Sequence, residues 1–334
     1  MSPIQKCILN KDKSYKPIWI MRQAGRYLPE FRKIREKNKN FVKLCLNKNL
    51  IPEITLQPIK RFDFDAAIIF SDILIVPYGL GQKLEFTKGL GPKLGKFDET
   101  NISKININNY INKLKPVYDS ISITSKNSIL KNKDLIGFIG APWTLLVYMI
   151  NQSSPKKKLK DSFFKNRKLI KNIIGVLIKY LKIHISHQVK SGATIIQIFD
   201  SWAGLVKDKD LKKYIYDPTK EIVDFTKTLG VPVICFPRNI KNYKEFISEV
   251  GPDVISIDHN VNPEKIRQDI TIPVQGGLDP RILLKSKSLL KKNTKKYLDL
   301  FKDHPYIFNL GHGVLPETDP NMLEYLIKFV KDNQ

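Results

Sequence analysis

Short apolar runs recur along this chain, each ending in glycine or polar residues and each followed by a helical pattern. No other feature of the sequence restricts the fold as much. Ile18–Met21 opens the series, and Asp65–Phe70, Leu135–Gly140, Ala193–Phe199, Val231–Phe236, Val254–Ile257, Ile272–Val274 and Tyr306–Leu310 follow. Runs this short and this uniformly apolar read as strands buried on both faces, the habit of a parallel sheet. Parallel neighbours need long crossover connections, and the periodic stretches between the runs supply them, most clearly Leu50–Arg61, Lys168–Ser191 and Pro320–Val330. Eight such strand–helix units in 334 residues predict an α/β fold, a single closed (β/α)8 TIM-type barrel over residues 1–334. An open doubly wound sheet is the alternative.

Composition narrows the function classes. A hydrophobic share of 42% fills a large core. A formal charge of +25 suggests a polyanionic partner: nucleic acid, an anionic membrane surface or an acidic small molecule. The charge is spread, however. Lysine, asparagine and isoleucine recur together through Asn101–Lys115 and Lys285–Lys296, and the run Lys156-Lys157-Lys158 reads as a solvated loop. A nucleic-acid binder clusters its cations instead. Cys7, Cys45 and Cys235 form no C-x-x-C pair, so neither a disulfide framework nor a thiolate zinc site is indicated, and a reducing compartment fits. His184 and His187, three apart, need a third ligand to hold a metal and read as ordinary helix surface. The opening Met1-Ser2-Pro3-Ile4-Gln5-Lys6 has no apolar leader, and no uncharged segment reaches membrane-span length. The expectation is a soluble cytoplasmic protein; an organellar location stays open if the chain is a mature form.

A parallel barrel builds its chemistry on the carboxyl-terminal ends of its strands. Arg22, Asp72, Ser201, Asp258, His259 and His312 fall just after strands and are expected to converge there, with Tyr148 on an adjacent helix. The stretch Gly79–Gly95 reads as a long loop or hairpin that could cover such a site, and Asn101–Asn127 as an outer helix pair. In the loop after the first strand, Gly25 and Pro29 break regular structure, and Pro29 suits the first turn of a helix running through Arg35. Arg22 and Arg26 flank the turn. Guanidinium groups there suit bidentate capture of carboxylate or phosphate, each charge-assisted bond contributing roughly 1.5–3 kcal/mol. On residue types alone, a solvated basic turn is preferred. No dinucleotide fingerprint, P-loop, H-E-x-x-H or nucleophile elbow competes.

The stretch Met21-Arg22-Gln23-Ala24-Gly25-Arg26-Tyr27-Leu28-Pro29-Glu30 resembles the signature of the uroporphyrinogen decarboxylase family. Further motifs repeat the match in family order: Ile69–Leu74 around Ser71-Asp72, Gly137–Leu145, Phe199–Gly204, Gln275–Pro280 and Asn309–Val314. The resemblance spans nearly the whole chain. It implies a carboxy-lyase of haem and porphyrin biosynthesis, a cofactor-independent homodimer with no metal. Its reaction turns the four acetate side chains of uroporphyrinogen III into methyl groups, giving coproporphyrinogen III. It also implies a substrate pocket made of Arg22, Gln23, Ala24, Gly25, Arg26, Asp72, Tyr148, Ser201 and His312. Asp72 faces the pyrrole N–H groups as the catalytic residue, and Arg35 matches a family arginine near the site. Nucleic acid and membrane are not among the partners implied.

The chemistry suits those residue types. Loss of carbon dioxide from an acetate on an electron-rich pyrrole leaves an unstabilised carbanion unless the ring is first protonated at carbon. That protonation places positive charge on the pyrrole nitrogen, and an ionised Asp72 aimed at it stabilises the charge as it develops. Enzymes typically lower such barriers by roughly 8–23 kcal/mol, here through electrostatics and orientation. Arg22 and Arg26 are expected to keep Asp72 charged. The proton donor stays open between Arg22, Asp72, His312 and a bound water. Tyr148 reads as a hydrogen-bonding wall of the pocket or as a core tyrosine, and Ser201 has no His–Asp partner to make it a nucleophile. One departure from the family pattern stands out: Pro237-Arg238-Asn239 occupies a position where a lysine or small polar residues are usual. Two rivals remain. A corrinoid-linked methyltransferase on the same fold needs a His-x-Cys and a later Cys for zinc, whereas Val233 precedes Cys235 and no cysteine follows it. A polyanion-binding protein needs only the charge.

Overall fold

The computed structural model describes residues 1–87, 91–155, 159 and 161–334. Residues 88–90 of the Gly79–Gly95 stretch and the run Lys156-Lys157-Lys158 lie outside the described residues. The described strands are β1 (Ala66–Ile68), β2 (Leu84–Thr87), β3 (Gly91–Leu94), β4 (Asp134–Gly140), β5 (Ile195–Asp200), β6 (Val233–Pro237), β7 (Val254–Ile257), β8 (Val274–Gly276) and β9 (Tyr306–Ile307). Seven of them pair in parallel in the order β1-β4-β5-β6-β7-β8-β9, while β2 and β3 form a separate antiparallel hairpin. Between consecutive staves the chain returns through helices, among them Leu50–Phe62, Ile107–Ser125, Arg167–Lys190, Asp217–Thr228 and Lys287–Leu300, and the helix Pro320–Asp332 follows the last stave. Among the described residues no helix is long and apolar enough to cross a membrane.

The ring closes through the segment that precedes the first helical return. Phe308, just past β9, pairs in parallel with Ile18; its N–H donates to Pro17 O at 2.8 Å, and Trp19 N–H donates to Phe308 O at 3.4 Å. On the other side Asp65 N–H donates to Ile18 O at 2.9 Å, and Ile18 N–H donates to the Asp65 carboxylate at 2.7 Å. The barrel therefore has eight staves, but the first is a single bridged residue and not the strand expected over Ile18–Met21. The chain turns at Met21-Arg22, with Arg22 at φ +63°, and a turning backbone cannot extend a ladder. Ile272–Val274 moves to Val274–Gly276 for a related reason: Pro273 has no N–H to donate to a ladder.

Side chains alternate along each stave. Ala66, Ile68, Ile136, Ile195, Ile234, Val254 and Ile307 point inward, joined by Trp19 and Met21. Their neighbours Ala67, Leu135, Ile139, Ile196, Ile198, Val233, Cys235, Ile255 and Tyr306 face the helical layer. A helix that the sequence reading overlooked, Pro3–Leu9, inserts Ile4, Cys7 and Ile8 into the interior group and stoppers the amino-terminal end. Its signal is present in the sequence: Ser2 caps it by accepting from Gln5 N–H at 3.2 Å, Pro3 occupies its first turn, and the apolar residues fall at helical spacing. Above the plug lies an uncharged polar layer. Trp19 Nε1 donates to Gln275 Oε1 at 2.9 Å, and Gln275 Nε2 donates to Ser256 Oγ at 3.1 Å and Gln197 Oε1 at 3.2 Å.

The outer layer corrects one expectation. His184 is not helix surface: it is 2% exposed, paired through Nδ1 with the Tyr118 hydroxyl at 3.0 Å, and burial pushes its pKa down to about 3. His187 stacks on the same tyrosine, ring centroids 4.8 Å apart. A neutral imidazole with one polar partner satisfies a buried site. The expected outer helix pair is found as Glu99–Ser103 and Ile107–Ser125, and the hairpin β2–β3 stands where a loop or hairpin was read.

Candidate active site

At the carboxyl-terminal rim the loop from Met21 to Leu28 is held as a rigid unit. Met21 N–H donates to Asn309 Oδ1 at 2.9 Å, Val314 N–H to Met21 O at 3.0 Å and Gln23 N–H to Ile20 O at 2.9 Å. Tyr27 donates its hydroxyl hydrogen to Gln23 O at 2.7 Å. Arg22 is thereby fixed in the left-handed region, a conformation costing a non-glycine residue about 1–3 kcal/mol and characteristic of functional sites. Its aliphatic stem lies on Gly313. A Cβ there would come within 2.7 Å of Arg22 Cγ and collide with Cδ, so the glycine is what lets the arginine lie down across the rim.

The Gln23 side chain braces the loop from beneath. It is fully buried, accepts from Ile20 N–H at 3.2 Å and donates to Ala66 O at 3.1 Å. Its amide is occupied by backbone on both sides, so it splints the loop to β1. Arg26 is exposed beyond it, and Ala24 and Gly25 are half-buried. Arg35 stands further back, with Nη1 donating to Asn38 O and its guanidinium over the Phe41 ring at 5.3 Å.

Asp72 leaves the top of β1 and accepts Leu74 N–H through Oδ1 at 2.8 Å. Burial raises its pKa from 3.8 to about 6, outweighing the backbone hydrogen bond from Leu74 and the nearby Arg22 charge, which both pull it down. The arginines were expected to keep this carboxyl acidic; desolvation is the larger effect here. Arg22, part of whose side chain stays open to solvent, has its proton affinity lowered first by desolvation and then by the cations Arg26 and Arg238, with Asp72 and Tyr148 opposing. His312 is pushed down to about 4 by burial and by Arg22, Arg238 and His259, so it is neutral near pH 7. Burial raises the Tyr148 hydroxyl, which accepts from Ser154 Oγ at 3.4 Å while its ring meets the edge of Trp202 at 5.9 Å.

Three neighbouring loops are tied together. Thr144 Oγ1 donates to Asp200 Oδ1 at 2.6 Å and accepts from Trp202 N–H at 3.0 Å; Arg238 N–H donates to Asp200 O at 3.1 Å. Ser201 sits half-buried between these anchors. Asp258, expected on the rim, is fully buried and holds Asn239 N–H at 2.9 Å, Asn260 N–H at 2.9 Å and Tyr243 OH at 3.2 Å. Below the polar rim, inward-facing Phe138, Phe199 and Phe236 meet edge-on, at 5.7 Å and 6.3 Å between successive ring centroids. Phe138 and Phe199 fall within quoted motifs and Phe236 within a strand run, and their alternation with outward neighbours places all three inside. The rim thus combines an apolar aromatic floor, several cations and two carboxyls that burial pushes up, Asp72 to about 6 and Asp200 to about 7. Among the described residues, Arg22, Arg26 and Arg238 have no carboxylate at ion-pair distance.

A family model described as Uroporphyrinogen decarboxylase (URO-D) matches residues 1–333. The chain belongs to the uroporphyrinogen decarboxylase family. A protein of Rickettsia felis named uroporphyrinogen decarboxylase is 40% identical over 332 residues, covering 97% of this chain and 95% of its own. One of Rickettsia bellii with the same name is 41% identical over 322 residues, covering 95% and 94%. A solved methyltransferase from Methanosarcina mazei superposes with TM-score 0.79 at 13% identity, covering 98% of this chain and 97% of its own. At that identity it speaks for the shared barrel alone. The fold gathers the motif residues Arg22, Arg26, Asp72, Ser201 and His312 at one end of the barrel, with Tyr148 on the helix that follows β4.

Proposed function

We infer that this chain is the carboxy-lyase that converts uroporphyrinogen III to coproporphyrinogen III by removing carbon dioxide from each of its four acetates. The observation that carries this is the family match along residues 1–333, with the motif residues assembled on one rim. The pocket chemistry supports it: an aromatic floor suits the faces of a tetrapyrrole, and unpaired arginines suit carboxylates around its edge.

In each turnover a proton adds to a pyrrole carbon, the bond between the acetate methylene and its carboxylate breaks, and the electron pair flows into the ring. A second proton then reaches the methylene, giving methyl, and the ring carbon returns its own. Ionised Asp72 holds the pyrrole N–H groups and stabilises the positive charge on nitrogen. At about 6 its proton affinity also lies close enough to neutrality for it to pass a proton. His312, neutral at pH 7, serves as a hydrogen-bonding wall with Tyr148 and Ser201, and Arg22 and Arg26 orient carboxylates. Substrate itself is the electron sink, so the reaction is cofactor-independent. Residues 1–334 act as one catalytic domain in a cytoplasmic homodimer that engages neither nucleic acid nor membrane.

Anaerobic incubation with enzymatically generated uroporphyrinogen III, followed by oxidation and separation by carboxylate number, tests the reading. A ladder from eight carboxylates to four is expected from the wild type. Unchanged octacarboxylate from folded protein would overturn it.

A further inference from the structure

Arg238 is a rim cation outside the motifs quoted above, at a position where the family usually has a lysine or small polar residues. It follows Pro237, the last residue of β6. Counting along the ring from the Ile18 stave through β1, β4 and β5, the β6 stave is the fourth step of eight. It therefore lies across the mouth from the stave that carries Arg22. Despite that opposition the Arg238 charge reaches Arg22, and both charges reach His312, so the two cations border the same mouth.

The backbone around Arg238 is built to hold it there. Its N–H donates to Asp200 O and its carbonyl accepts Gly204 N–H, both at 3.1 Å. The next residue, Asn239, is in the left-handed region at φ +61°, clamped by Asp258. Gly204 allows the close approach, since a Cβ there would meet Asn239 O at 2.6 Å. The side chain is half-buried, and its Nε is buried with no acceptor. An unsatisfied buried guanidinium nitrogen is costly, and the groups that answer it are anions.

We propose that Arg238 is a further substrate-binding residue, taking a carboxylate on the edge of the tetrapyrrole opposite the one that Arg22 holds. This rests on reading the rim as a uroporphyrinogen site. A ring carrying carboxylates around its whole edge is gripped from two sides, which sets its rotation over Asp72. A ligand with carboxylates on one edge only cannot engage both cations.

The test is fluorescence titration with uroporphyrin III, the stable oxidised octacarboxylate, alongside anaerobic kinetics, for Arg238→Gln and Arg238→Lys. In Arg238→Gln the Kd and KM are expected to rise together, on the order of ten- to a hundredfold, with kcat little changed. Arg238→Lys keeps the charge without the fork and recovers part of the loss. Thermal unfolding and far-UV circular dichroism establish that both variants are folded, and Arg238→Lys decides if Arg238→Gln is not. Wild-type affinity in Arg238→Gln, or a loss confined to kcat, overturns the proposal. Wild-type protein that binds uroporphyrin but decarboxylates nothing defeats the activity reading, while the dependence of binding on Arg238 still judges the proposal.

Discussion

Asp72→Asn is expected to make the protein more stable as it makes it less active. The carboxyl's pKa rises from 3.8 to about 6 on folding, so between those values the folded state binds more protons than the unfolded one. Stability therefore falls as pH rises through that window, and the full cost is present above about pH 6. A displacement of this size corresponds to about 3 kcal/mol. That is an upper bound, because Asp72 keeps some contact with solvent. The attraction of Arg22 is already included in the net displacement. Asparagine is nearly isosteric and still accepts Leu74 N–H, so it removes the charge without removing the turn. For a chain of 334 residues, 3 kcal/mol corresponds to ~4 °C in Tm. Thermal unfolding of both proteins from pH 4 to pH 8 reads this directly: the variant's advantage appears between pH 4 and 6 and then levels off. Activity falls over the same substitution, on the order of 10²–10³-fold, as when a preorganised charge is removed from a developing ion. An Asp72→Asn protein less stable than wild type at pH 7, or a gain that does not vary with pH, would refute the account of a carboxyl held against its own desolvation.

Gly313→Ala should push the Arg22 stem off its seat, raising KM about tenfold in steady-state kinetics while the far-UV spectrum is unchanged. In the pH profile of kcat/KM, activity should drop below about pH 6 as Asp72 takes up a proton. His312→Gln should keep that acidic limb where it is, because His312 does not ionise until about pH 4; a limb that moves with His312 would reassign it. Asp65→Ala removes the acceptor of Ile18 N–H and leaves a buried donor unpaired at the seam of the barrel. Urea unfolding should show a loss of about 3 kcal/mol.

What the sequence made legible follows from what is local. Strands buried on both faces announce themselves as apolar runs, and Asp72 and His312 stand at strand ends where a barrel must place chemistry. The opening stave was overestimated because the turn at Met21-Arg22 depends on Asn309 and Val314, almost three hundred residues away. Asp258 and Gln23 carry the same lesson in side chains: a polar residue at a rim can face the pocket or its own backbone, and residue type does not distinguish them. The lowered pKa of His312 was invisible for the same reason, since it comes first from burial and then from Arg22, Arg238 and His259 meeting from separate loops. Asp72 follows a strand as its sequence position indicates, but its desolvation is set by packing that no motif records.

The closure of the ring has a consequence for how the chain is made. Ile18 waits for Phe308, and Lys16 Nζ for the carbonyls of Lys302 at 2.8 Å and His304 at 3.2 Å. At ~5–20 residues per second on the ribosome, the first stave emerges some tens of seconds before its partner exists. Throughout that interval Trp19, Ile20 and the apolar face of the Pro3–Leu9 plug have no barrel to enter. The growing chain carries its own stopper unburied until the last strand arrives.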